Sequence, residues 1–294
     1  MNLLKKILIP FFILSLVGCN GQENTGSVAN EDVATSVEDA VNTLGVAMDD
    51  QANEAYATNI KKSYPEMIEE FIFPKAYASN CTRPVNMACN SGVKLSEFQD
   101  CSIFHGNAIA SGWISLNYSE LDCSLDVDGK KVARTYDYEI VGPRGGQHNI
   151  TSSDQVDYRG NTIGGGAELT KVAGGWELDI LGKNRTFIIN GRTRRNKSIR
   201  TLQPLEIQGG IRRSQRRVNN GQLEVIHNLA EFTATYTAVD LQYSSSCCHP
   251  VSGSLSVDFA GSIEGSGTVT FNSCGSAQIE RNGEVQDVTF TYCE

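Results

Sequence analysis

Hydrophobic and polar residues alternate one by one along much of the C-terminal half of the chain. The clearest examples are residues 232–238 (FTATYTA), 255–259 (LSVDF) and 288–292 (VTFTY). A period of two puts apolar side chains on one face of a β-strand and polar side chains on the other. The pattern predicts a mainly β protein built on a large antiparallel meander, which is either closed into a barrel or folded into a sandwich.

Three Asx-Gly pairs interrupt the strand-like segments: Asp128-Gly129, Asn220-Gly221 and Asn282-Gly283. Both residues of such a pair tolerate a positive φ, and two-residue hairpin turns require positive φ. We therefore predict a β-hairpin at each of the three positions.

The N-terminal part of the chain has a helical period instead. Apolar residues between residues 33 and 56 recur in steps of three and four, which predicts an amphipathic helix over residues 31–60. A second, shorter helix is predicted to begin at the capping box Ser63–Glu66 and to end at Pro74. This segment is acidic, so we expect it to pack on the side of the sheet with its charged face in solvent. A spacer or a docking helix for a partner is the alternative.

The first residues have the form of an export signal. Lys5 and Lys6 precede an apolar run at residues 7–17, which is too short to span a bilayer. The run ends in Leu16-Val17-Gly18-Cys19, which resembles the lipobox of bacterial lipoproteins. The resemblance implies that Cys19 is the lipid attachment site, becoming the acylated first residue of the mature chain and joining it to the membrane. An ordinary signal peptide with a coincidental cysteine is the alternative.

The residue after Cys19 is Asn20 rather than the Asp that commonly retains such lipoproteins at the inner membrane. The resemblance therefore implies an outer-membrane protein, facing either the periplasm or the outside. The expected organisation is a signal peptide (1–18), a flexible tether (19–30), an acidic helical segment (31–78) and a β-rich, disulfide-bridged domain (79–294).

Eight further cysteines fall into two groups of four. An even number in an exported chain favours disulfides, which we expect to form within each group. Cys247 and Cys248 are adjacent on a predicted strand and point to opposite faces, so each should bond a different partner. The spacing does not match that of a structural zinc site. The disulfide candidates are Cys81, Cys89, Cys101, Cys123, Cys247, Cys248, Cys274 and Cys293.

Positive charge is concentrated in one region of an acidic chain. The protein has 294 residues and a net charge of −9, yet residues 183–217 hold 11 Lys and Arg and one acid, Glu206. Guanidinium groups bind phosphate and carboxylate in bidentate fashion, so the region is a candidate site for an anionic envelope polymer or lipid. Alternatively, the arginines only protect strands from aggregation or pair with acids. The candidates are Arg192, Arg194, Arg195, Arg212, Arg213, Arg216 and Arg217.

Other functional classes have less support in the sequence. The acidic balance, and Phe187 as the one aromatic residue of the basic region, disfavour nucleic acid. The chain has four histidines and lacks the metalloprotease, serine-hydrolase and P-loop motifs. We expect a non-enzymatic binding or structural lipoprotein without metal or cofactor. The alternatives are a lipocalin-like carrier of a small apolar ligand, or a hydrolase of envelope polymers that uses Asp154, Asp157, Glu168 or Glu177.

Overall fold

The structure is a computed structural model, which describes residues 33, 36–41, 88–103, 108–210 and 212–290, without the side chains of residues 103 and 213. Several predictions lie outside these residues: the signal peptide, the lipid site Cys19, the tether, the second helix, Cys81 and Cys293.

Fifteen strands make up most of the described chain. They are β1 (Val93–Ile103), β2 (Ala108–Tyr118), β3 (Lys131–Val141), β4 (Gln147–Thr151), β5 (Gln155–Val156), β6 (Thr162–Ile163), β7 (Gly166–Val172), β8 (Gly175–Ile189), β9 (Arg192–Gln208), β10 (Arg217–His227), β11 (Phe232–Ser244), β12 (Cys247–Gly261), β13 (Gly265–Ser273), β14 (Ser276–Arg281) and β15 (Glu284–Thr289). A 3-10 turn, Arg213–Gln215, precedes β10.

The strands confirm the predicted antiparallel meander. Thirteen of them form one sheet in the order β1-β2-β3-β4-β8-β9-β10-β11-β12-β13-β14-β15. Strand β7 pairs with β3 and β8, so β4 and β7 lie end to end between these two longer strands. The loop that joins them carries the small β5–β6 hairpin. Among the described strands, β1 and β15 pair on one side only and are the edges of the sheet.

One face of the sheet is apolar and the other is polar, as the alternation predicts. Tyr236, Val257 and Val269, on three neighbouring strands, are at most 1% exposed and belong to one continuous core. The N-terminal helix residues 33 and 36–41 also contribute to this core: Val33, Val37 and Val41 are at most 3% exposed. Burying a valine side chain contributes about 1.5–3 kcal/mol, so this apolar stripe holds the helix on the sheet.

Hydrogen bonding and charge also tie this helix to the sheet. The hydroxyl of Tyr236 donates a hydrogen bond to that of Ser36 at 2.7 Å, and both side chains are buried. Burial raises the pKa of Tyr236 above its ordinary value of 10.0. The acidic segment therefore begins as a docked helix in the described residues, with its apolar stripe inward.

The three predicted hairpins have different outcomes. Asn282-Gly283 connects β14 to β15 with φ angles of 53° and 81°, which confirms a two-residue turn. Asp128-Gly129 is a turn, but residues 123–127 before it form no strand, so the hairpin prediction is wrong there.

Asn220-Gly221 lies inside β10, so the third hairpin prediction is also wrong. A Cβ on Gly221 would lie 2.6 Å from the carbonyl oxygen of Pro204 on β9, and the β9–β10 register shifts at this point. Glycine is needed here because the two backbones approach closely at an irregularity, which is a common use of glycine within a strand.

Two disulfides confirm the expected pairing within each cysteine group. Cys89 bonds Cys123 with a Cα–Cα distance of 6.0 Å, and Cys247 bonds Cys274 with a Cα–Cα distance of 5.7 Å. Cys101 and Cys248 are also disulfide-bonded. The first bond joins the segment before β1 to the loop after β2, and the second joins the start of β12 to the β13–β14 turn.

Candidate functional site

The candidate arginines occupy opposite ends of strand β9. This strand has 17 residues, which correspond to about 50 Å at roughly 3.3 Å per residue. Arg192, Arg194 and Arg195 lie at its beginning, and we call them the hairpin arginines. The loop arginines, which follow the end of β9, are Arg212, Arg213, Arg216 and Arg217. The structure therefore divides the region that the sequence presents as one basic segment.

Three of the loop arginines are engaged within the fold, and the side chain of Arg213 lies outside the described part of the chain. Arg217 forms an ion pair with Asp240 at 3.2 Å. Arg216 is 2% exposed, and its guanidinium lies 5.1 Å from the centre of the Tyr243 ring. Arg212 also has an interaction partner. Because burying a guanidinium is costly unless it has partners, the contact with Tyr243 marks Arg216 as a structural residue, whereas Arg212 and Arg217 are exposed.

The hairpin arginines are exposed and have no ion-pair or hydrogen-bond partner within the described chain. Strand β10 ends opposite Lys197, so residues 192–196 extend past it. The β8–β9 turn is Asn190-Gly191, with φ angles of 52° and 69°. A protruding two-residue hairpin thus carries three positive side chains away from the body of the sheet.

A second turn brings another arginine to the same end of the sheet. Strand β4 pairs antiparallel with β8, with Gln147 opposite Ile188, so the β3–β4 turn lies beside the β8–β9 hairpin. At this turn, a Cβ on Gly146 would lie 3.1 Å from the Phe187 ring. The turn carries Arg144, which is exposed and likewise has no partner in the described chain. We call Arg144 and the three hairpin arginines the basic tip.

An aromatic stack lies at the base of the basic tip. The rings of His148 and Phe187 are 4.2 Å apart between centroids, and Arg195 is the cross-strand neighbour of Phe187. Partial burial, and after it the positive charges of Arg185 and Arg195, hold the pKa of His148 below its ordinary value of 6.5. The imidazole is therefore neutral at neutral pH, and the positive charge at this end comes from arginine.

The cations just behind the tip are neutralised by the docked helix. Asp39 pairs with Arg185 at 3.3 Å and with Lys197. Burial alone would raise the pKa of Asp39, but these two cations outweigh it and hold the pKa below 3.8. His227, the cross-strand neighbour of Lys197, is kept neutral because burial, followed by the charge of Lys197, lowers its pKa to about 3.

The arrangement suits a ligand with several negative groups. A single exposed ion pair contributes only about 0–1 kcal/mol, so one phosphate on one arginine would bind weakly. Four guanidinium groups on adjoining turns can engage a polymer or a surface at several points at once, and the contributions then combine.

The carboxylates considered for a hydrolase serve the fold at two of the four positions. Asp157 is buried, and its carboxylate accepts hydrogen bonds from Arg159 and Asn161, which fixes the β5–β6 turn. Glu168 forms an ion pair with Lys131 at 3.1 Å. Neither carboxylate is placed at a cleft by these contacts.

Two members of the site could have been found in the sequence. Asn190-Gly191 is the same hairpin signal that predicts the β14–β15 turn, and it separates the hairpin arginines from β8. Arg144 stands in Gly142-Pro143-Arg144-Gly145-Gly146, a turn composition. The pairing of the two turns has no local signal, because it depends on β4 lying beside β8.

Comparisons with protein-family models, with curated proteins and with solved structures found no match for this chain. In the part of the chain that the structure describes, no three His, Cys, Asp or Glu side chains are grouped as metal ligands. No helix within those residues is long and apolar enough to cross a membrane.

Proposed function

We propose that the protein is a non-enzymatic, lipid-anchored envelope protein that binds an anionic polymer or lipid through the basic tip. The observation that carries the proposal is the difference between the arginines. The four at the tip are exposed with no ion-pair partner among the described residues, whereas Arg212, Arg216 and Arg217, beyond the other end of β9, are engaged. Exposed arginines without partners are free to bind phosphate or carboxylate groups in bidentate fashion.

The lipobox at Cys19 supports the envelope location. A lipid on Cys19 would hold the protein at the outer membrane, where phosphorylated glycolipids and other polyanions are abundant. The disulfides support a location outside the cytosol, because such bonds persist in oxidising compartments. Membrane attachment also raises the effective concentration of the tip at a charged surface, so modest affinity suffices.

Binding of lipopolysaccharide before and after removal of its phosphates tests the proposal. The full-length protein should bind the phosphorylated form at about 0.05 M NaCl and lose most of that binding at about 0.5 M, because salt screens exposed charges. The dephosphorylated form should bind at least about tenfold more weakly, which corresponds to about 1.4 kcal/mol.

A pair of charge-matched variants locates the site. Arg192→Gln/Arg194→Gln and Arg212→Gln/Arg217→Gln each remove two positive charges. The first should weaken binding about tenfold and the second by less than about twofold, because Arg217 already pairs with Asp240. Equal losses in the two variants would show that overall charge, and not the tip, is responsible.

A further inference from the structure

A shallow groove of about 510 Å³ lies on the polar face of the sheet, across β2, β3 and β4. It is lined by Ser111, Gly112, Trp113, Asp137, Tyr138, Glu139 and Asn149. The groove is separate from the basic tip and from the apolar core. Its volume falls in the range of roughly 300–1,000 Å³ that is typical of small-molecule sites.

Trp113 provides an aromatic surface in this groove. Its side chain is half-buried, and its cross-strand neighbours are Glu97 on β1 and Asp137 on β3. The other tryptophan, Trp176, is 8% exposed and belongs to the core. Trp113 lies on the polar face of the sheet, between two acids, and does not pack in the apolar core. Core packing therefore does not explain why a large aromatic ring stands at this position.

The backbone is irregular beside the groove. A Cβ on Gly112, next to Trp113, would lie 2.3 Å from the carbonyl oxygen of Asp137. Glycine lets β2 and β3 approach at this point, where its φ is 142°. The register of β1 shifts between Phe98 and Cys101, beside the same part of β2. Both irregularities therefore lie next to the tryptophan.

Four of the side chains that line the groove are free to bind a ligand, whereas the hydroxyl of Ser111 is hydrogen-bonded to Asp100. Among the described residues, Asp137, Glu139 and Asn149 form no side-chain hydrogen bond or ion pair, and the indole N–H of Trp113 has no partner. Some polar side chains elsewhere on this face are paired, such as Arg200 with Glu224 at 2.7 Å and Gln278 with Asp287 at 2.9 Å. The groove is thus a local concentration of unused acceptors and donors around an aromatic ring.

We propose that this groove binds a neutral, hydroxyl-rich saccharide. The apolar face of a pyranose ring stacks on Trp113, the carboxylates of Asp137 and Glu139 accept hydrogen bonds from hydroxyls, and the amide of Asn149 donates and accepts. The inference goes beyond the proposed function and does not require the basic tip.

The openness of the groove favours a saccharide over an organic cation. An ion pair that stays hydrated contributes little, and cation–π contacts are strong only when the cation is desolvated. Stacking buries apolar area whether or not the surrounding polar groups remain wet. The neutral amide of Asn149 both donates and accepts hydrogen bonds, which suits hydroxyls better than a cation.

Intrinsic fluorescence of the full-length protein tests this assignment directly. Because Trp176 is buried, a ligand in the groove should change the emission of Trp113 alone. The probes are chitotriose and maltotriose, together with an array of neutral bacterial glycans. We expect saturable binding of at least one of them, and binding of none would overturn the proposal.

Three variants and one cation separate the saccharide site from the alternatives. Trp113→Ala should weaken saccharide binding at least about tenfold, and Trp113→Phe should keep it within about threefold, because a smaller ring still stacks. Asp137→Asn/Glu139→Gln should keep it within about fivefold, since amides still bond hydroxyls.

Spermidine tests the alternative of an acidic cation site. That alternative would be identified if the wild type binds spermidine and no saccharide, and if the double variant no longer binds spermidine. Unchanged saccharide binding by Trp113→Ala would also contradict the assignment.

Discussion

The two ends of strand β9 carry the same residue type in different circumstances. At its end, Arg217 pairs with Asp240, and Arg216 is buried against Tyr243. At its beginning, Arg192 and Arg194 project from a hairpin that extends beyond the end of the neighbouring strand β10. The difference lies in what the neighbouring elements supply. Beyond the end of β9, strand β11 provides both Asp240 and Tyr243 as partners. At the beginning of β9, strand β10 lies beside the hairpin only as far as Lys197.

This comparison shows that a run of positive charge in a sequence is not by itself a binding site. An arginine with an acid beside it in the fold has its charge compensated, and an arginine on a protruding turn does not. Asp39 separates the cations that have an acidic partner from those that do not. Its carboxylate balances the charges of Arg185 and Lys197, which lie just behind the basic tip.

The largest effect is expected from removing the acid behind the tip. Asp39→Ala leaves Lys197, whose side chain is 7% exposed, and Arg185, at 14%, without their carboxylate. Breaking a buried pair in this way costs about 3–5 kcal/mol, measured as the free energy of unfolding in urea. The double variant Asp39→Ala/Lys197→Met should recover part of the loss. A cost below about 1 kcal/mol for Asp39→Ala would mean that the helix is not held by this cluster.

Acidification should weaken the same region through His227. In the folded protein its pKa is about 3, and its ordinary value is 6.5. Between these values the unfolded state binds a proton that the folded state does not, so stability falls as the pH drops through this window. The slope is about 1.4 kcal/mol per pH unit for one such group.

Urea unfolding at several pH values measures the slope, with His227→Phe as the control. Phenylalanine fits beside Phe232, whose ring lies 4.1 Å from that of His227. In this variant, the slope of the unfolding free energy against pH below pH 6.5 should fall by about 1.4 kcal/mol per pH unit, the contribution of one proton. An unchanged slope would show that His227 is not kept neutral by the fold.

Replacing a buried loop arginine should affect stability and leave ligand binding unchanged. Arg216→Gln loses the contact with Tyr243 at a site that is 2% exposed. We expect a destabilisation of about 2 kcal/mol in thermal or urea unfolding, with polyanion affinity within twofold of the wild type. A large affinity loss in a still-folded variant would place the ligand at the wrong end of β9.

The pH dependence of polyanion binding should reflect His148. Because its pKa lies below 6.5, the ring gains a proton only in more acidic solution, and that proton adds positive charge beside Arg195. Affinity should therefore be nearly constant from about pH 8 to about pH 6.5 and rise below that range. His148→Gln should remove the rise, and a rise that persists in this variant would have another source.

The smallest effect is expected from freeing an arginine at the engaged end. Asp240→Asn releases Arg217, and both partners of this pair are at least half exposed, at 51% and 55%. Stability should change by less than about 0.5 kcal/mol, and polyanion affinity should rise by about twofold or less. A rise in polyanion affinity as large as the affinity loss in Arg192→Gln/Arg194→Gln would show that the two ends of β9 do not differ in anion binding.

The sequence predicts the parts of this fold that depend on local periodicity. The alternation at residues 232–238 and 255–259 identifies the buried face, and steps of three and four identify the helix stripe at Val33, Val37 and Val41. Grouping the cysteines anticipates the Cys89–Cys123 and Cys247–Cys274 bonds. Each of these signals lies within a few residues or follows from the expectation that the chain is exported to an oxidising compartment.

The remaining features depend on which strands become neighbours, and no local pattern reports that. Asn220-Gly221 has the composition of a hairpin turn, but it faces Pro204 across a strand pair and forms an irregularity instead. The separation of the arginines requires β9 to be one strand of 17 residues. The Trp113 groove similarly requires three strands in register, which spacing along the chain does not reveal.

Chemical modification of arginine tests the central contrast most directly. Phenylglyoxal reacts with accessible guanidinium groups, and mass spectrometry quantifies modification at each residue with and without lipopolysaccharide. Arg144, Arg192, Arg194 and Arg195 should react readily in the free protein and be protected by the ligand. Arg216 should be nearly unreactive, and Arg217 should show the same reactivity with and without ligand. Protection at Arg217 with no protection at Arg192 or Arg194 would contradict the assignment of anion binding to the basic tip.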